Sequence, residues 1–130
     1  SVAVLDGALR VRWHCAGLAG RRLRTRLNLA MPSCDGFGGR YVLEDGTIPA
    51  GFGQSPTLPV ARRLTLDDRE LDGWLRLDCS PAAAMSAAPH HTVSLSEGGF
   101  EKIMQAAVVD LEFELESDDA TIELSLTPGR

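Results

Sequence analysis

The feature that most constrains this chain is a two-residue alternation of apolar and charged side chains that returns along its length. Leu9, Val11, Trp13 and Cys15 alternate with Arg10, Arg12 and His14. Leu23, Thr25, Leu27 and Leu29 alternate with Arg22, Arg24, Arg26 and Asn28. Ala107, Val109, Leu111, Phe113 and Leu115 alternate with Val108, Asp110, Glu112 and Glu114. Successive side chains of an extended strand point to opposite faces, so each run makes a strand with one buried and one solvated face. Runs at 60–66, 74–79 and 121–127 add to the set, and long amphipathic helices at period 3.6 are absent. The expected class is all-β, an antiparallel β-sandwich.

The connections are read from turn chemistry. The first two alternating runs are joined by a short Gly-containing segment and are expected to form a hairpin. Residues 33–59 carry Asp35-Gly36, Gly38-Gly39, Asp45-Gly46 and three prolines, and read as loop around one short strand at 40–44. Residues 81–89 are Ala-rich with Pro at both ends, which leaves helix and strand equally open. Trp13 shares the apolar face of its run and is expected in the core, whereas Trp74 opposes Leu75 and Leu77 and is expected at the surface or an interface. Charge is segregated, with arginines early and carboxylates late. Opposite charges stabilise neighbouring strands, so the Arg22–Asn28 or Arg10–His14 run is expected beside the acidic run at 110–116.

Composition excludes several classes. The chain has 130 residues, enough for one domain with a core, and 44% apolar residues, a globular share. A net charge of −5 argues against nucleic acid, which needs a local excess of Lys and Arg. No apolar run is long enough to span a bilayer, so no membrane partner is expected. Cys15, Cys34 and Cys79 are irregularly spaced without a CxxC, and read as reduced thiols of a cytoplasmic protein. No P-loop, dinucleotide fingerprint, GxSxG or calcium-loop pattern occurs, so no cofactor and no metal are expected. The start at Ser1, directly before a strand pattern, reads as a single domain over 1–130 cut from a longer protein.

The candidate contact residues gather in two places. His90, His91 and Glu97 flank the stretch Ser94-Leu95-Ser96-Glu97-Gly98-Gly99-Phe100. Adjacent histidines on a strand face opposite ways and cannot share one metal without a bulge. Glu97 and Glu101 lie more than about 10 Å apart on an extended strand, too far for a retaining glycosidase pair at about 5–5.5 Å. No catalytic pair is therefore assigned. Phe37, Tyr41 and Phe52 sit in the Gly-rich region, either as rings for stacking on a sugar or as plugs that fix the loop to the sandwich.

The segment His91-Thr92-Val93-Ser94-Leu95-Ser96-Glu97-Gly98-Gly99-Phe100-Glu101-Lys102-Ile103-Met104-Gln105 resembles the "TVSQSEGGFE" region near the end of family 57 glycoside hydrolases. The likeness is to the C-terminal β-sandwich domain of the α-amylase and 4-α-glucanotransferase branch. Arg26-Leu27-Asn28-Leu29-Ala30 and Gly39-Arg40-Tyr41-Val42-Leu43 resemble a strand and its following loop in that domain. Leu95 stands where Gln is usual, and Thr25-Arg26 replaces an acidic-aromatic pair. In such enzymes the nucleophile and acid lie in an N-terminal catalytic barrel. The resemblance thus implies part of a galactose mutarotase-like supersandwich, a non-catalytic domain that braces that barrel in the same chain and contacts an α-glucan oligosaccharide. An independent carbohydrate-binding module, a mutarotase-like sugar epimerase using a His with Glu97, and an oligomerisation domain are the alternatives.

Overall fold

The computed structural model describes residues 2–5, 7–30, 38–69, 72–96 and 98–129, with side chains throughout except at 5, 92–96 and 100–105. Nine strands are assigned: β1 (Val2–Leu5), β2 (Ala8–Ala16), β3 (Arg22–Leu29), β4 (Gly39–Leu43), β5 (Ala50–Gly51), β6 (Thr57–Asp68), β7 (Gly73–Ser96), β8 (Gly99–Glu114) and β9 (Asp119–Gly129). Every pairing is antiparallel. The Ala-rich stretch is strand, the middle of β7.

β7 is the spine. Its first part, from Trp74 to Ser80, pairs with β9, and from Ala84 onward it pairs with β8. β6 follows its other edge past both parts, with register shifts between Leu58 and Ala61 and between Ala61 and Arg63. Pro59 on β6 and Pro81 on β7 bracket that interruption. Neither has an amide proton to give a ladder, and bulges bend a strand pair where pairing lapses. The β6–β7 ribbon therefore serves two layers. One layer runs β1-β2-β9-β7-β6-β4-β5, and the other runs β3-β8-β7.

The expected β2–β3 hairpin does not form. β2 pairs with β1 and β9, and β3 pairs with β8. The intervening residues swing the chain from one layer to the other, with Gly17 and Gly20 at φ of 70° and 80°. A second arch, from β8 to β9, runs alongside. The Gly17 amide donates to the Asp118 carbonyl at 2.8 Å, the Gly20 amide to the Leu115 carbonyl at 2.7 Å, and the Leu115 amide to the Arg21 carbonyl at 2.9 Å. A hairpin would have set the arginines of the two runs opposite one another, and like charges directly opposed are unfavourable. The arch gives the β3 arginine row an acidic row instead, and sets Arg12 of β2 against one carboxylate. Arg22, Arg24 and Arg26 lie opposite Glu114, Glu112 and Asp110, and Arg12 lies opposite Glu123. Arg24 Nε donates to Glu112 at 2.9 Å, Arg26 Nε to Asp110 at 2.7 Å, and Arg12 Nε to Glu123 at 2.7 Å. The expected neighbour of the acidic run at 110–116 is therefore the Arg22–Asn28 run, whereas the Arg10–His14 run lies beside β1 and β9 instead.

The core is the apolar side of this alternation. Leu64, Leu66, Leu77, Ile122 and Leu124 of the first layer form one buried cluster with Met85, Val109, Leu111 and Phe113 of the second. Trp13 is partly buried against the same cluster. Phe113 is completely buried, so Phe113→Ala is expected to lower unfolding free energy by about 3–5 kcal/mol in urea titration. Val60, 77% exposed, should tolerate Val60→Ala within about 0.5 kcal/mol in the same measurement.

Candidate functional site

The paired strands β7 and β8, which carry residues 91–96 and Gly99, extend past the other described strands. β6 has its last partner on β7 at Ser86, and β3 has its last partner on β8 at Ala107. Beyond those points β7 and β8 pair only with each other among the described residues, as far as Ser96 opposite Gly99. Gly99 has a φ of 114°, a conformation that side-chain-bearing residues rarely adopt. The result is a two-stranded ribbon with both outer edges unpaired by any described strand.

His90 and His91 sit at the base of this ribbon. β7 alternates regularly here, with Ala83, Met85 and Ala87 buried and the residues between them more open. His90 is exposed and His91 half-buried, so the two imidazoles face opposite sides. A bulge does occur between them. His90 pairs with Ala106 but His91 with Met104, so the extra residue is on β8 and the rings on β7 stay apart. His91 and Ser96 are five residues apart, about 16 Å along an extended strand, so the histidines do not meet at the ribbon's tip. Glu97 and Phe37 lie outside the described residues, as does Cys34. No group of three or more His, Cys, Asp or Glu able to hold a metal occurs among the described residues.

Tyr41 and Phe52 are both buried, with ring centroids 5.2 Å apart and planes at 63°. The absence of a side chain at Gly39 makes room for them. A Cβ there would lie 2.0 Å from Phe52 Cδ2, and the Phe52 amide donates to the Gly39 carbonyl at 3.3 Å. Gln54 Oε1 accepts from the Gly51 amide at 2.8 Å and closes the loop. These rings plug the loop onto the first layer and present no face to a sugar.

Trp74, like Trp13, is half-exposed. A Cβ on Gly129 would lie 2.0 Å from its Cε2 and Cζ2 and 2.5 Å from its Cη2, which places the ring face against the β9 backbone. The Arg76 guanidinium lies over the ring at 5.4 Å from its centroid and donates to Asp78 at 3.1 Å. Asp78 also accepts from Arg63 at 2.7 Å, and Asp67 accepts from Arg40 at 2.8 Å. The sequence places Trp74 and Arg76 two apart on one strand face, a spacing that could have announced the stack. On the second layer a groove of about 510 Å³ runs beside Arg24, Arg26, Asp110 and Glu112. Its carboxylates are engaged by arginines, so it offers no free acid and base pair.

Cys15 and Cys79 are buried free thiols. Cys79 donates to the Ala61 carbonyl at 3.5 Å, where the β6–β7 ladder lapses. Burial pushes its pKa from 9.0 up to about 11. The raised value contributes stability that is full below about pH 9 and is lost as pH rises through about 11. The urea midpoint is expected to fall over that window by an amount that Cys79→Ala removes, and Cys79 should resist alkylation at neutral pH.

Comparison with known proteins places the whole arrangement. A family model described as alpha-amylase/4-alpha-glucanotransferase, C-terminal, matches residues 2–126. No curated protein sequence matches. Among solved structures, the crystal structure of 4-alpha-glucanotransferase from Thermococcus litoralis superposes with a TM-score of 0.64 at 16% identity. The likeness covers 98% of this chain and 17% of that one, so it shows the fold and a span well under a fifth of the larger protein. By the family match, which takes in nearly its full length, the chain belongs to the alpha-amylase/4-alpha-glucanotransferase C-terminal family.

Proposed function

We propose that residues 1–130 form one non-catalytic domain of an α-glucan-acting glycoside hydrolase or glucanotransferase, and that the β7–β8 ribbon seats it on the catalytic barrel of the same polypeptide. The observation that carries this reading is that, among the described strands, β7 and β8 pair only with each other beyond Ser86 and Ala107. An isolated two-stranded hairpin is marginal in water and needs a third strand or a packed surface. Here it carries the segment that most resembles family 57 enzymes, which is the part of the chain expected to meet the rest of such an enzyme. His90, His91 and Glu97 are then contact residues at an interdomain surface. Two buried reduced thiols accord with a cytoplasmic setting.

A bracing domain has no need of its own sugar site. Calorimetry of the 130-residue chain with maltooligosaccharides is expected to show no binding, and the chain is expected to release no sugar from them. Measurable binding would replace bracing with a carbohydrate-binding module. In the longer enzyme, replacing residues 91–105 by a two-residue Asn-Gly turn should lower activity and thermal stability. The same change in the 130-residue chain should move the urea midpoint little, because beyond Ser86 and Ala107 β7 and β8 have no ladder partner but each other among the described strands. An unaffected longer enzyme would refute the seating role.

A further inference from the structure

We draw no further inference here: the strongest candidate, the apolar groove beside the bend of the β6–β7 ribbon that Leu58, Pro59, Val60 and Ala61 line, is an unpartnered face, and nothing in the structure shows what covers it.

Discussion

The domain depends on one bent ribbon. Each alternating strand has one apolar face to hide, and a single flat sheet would leave all of those faces in water. β6 and β7 run through both layers and fold them toward each other where Pro59 and Pro81 interrupt the ladder. The shared cluster around Leu77, Met85, Leu111 and Phe113 follows from that bend. Apolar burial at roughly 25 cal/mol per Å² is the largest favourable contribution available to such a fold.

Charge acts at a different level. Exposed ion pairs are each worth at most about 1 kcal/mol, too little to hold layers together. They discriminate between pairings of similar apolar gain. β2 and β3 have compatible apolar faces, yet a hairpin between them would stack arginine on arginine. The two arches, tied by Gly17, Gly20 and Leu115, instead place the Arg22–Arg26 row against an acidic one and Arg12 against Glu123. Local turn chemistry points to the hairpin, and the long-range charge pattern overrules it.

The candidate site was legible in part. The HTVSLSEGG stretch stands out in the sequence, and the structure places its residues 91–96 in a ribbon beyond the other described strands. The opposite facing of His90 and His91 follows from strand geometry alone. The burial of Tyr41 and Phe52 does not, because their setting in a Gly-rich loop looks the same for a sugar platform and for a plug. Gly39 decides it by letting Phe52 lie against the backbone. The Trp74–Arg76 stack needed Gly129 as well, from a strand more than fifty residues away in the chain.

By itself the sequence determined the all-β class, the strand faces, the segregation of basic and acidic rows and the family likeness. All of these rest on periodicity or on contiguous residues, which a linear chain displays directly. Tertiary structure decided which strands pair, that β7 serves two layers, and that β7 and β8 run on together past the other described strands. It also decided that the apolar row through Leu64 and Leu77 continues through Leu126 and Leu9 to Val4. Those outcomes depend on contacts between residues far apart in the chain, where several pairings satisfy the same alternation and only simultaneous burial and charge matching select among them.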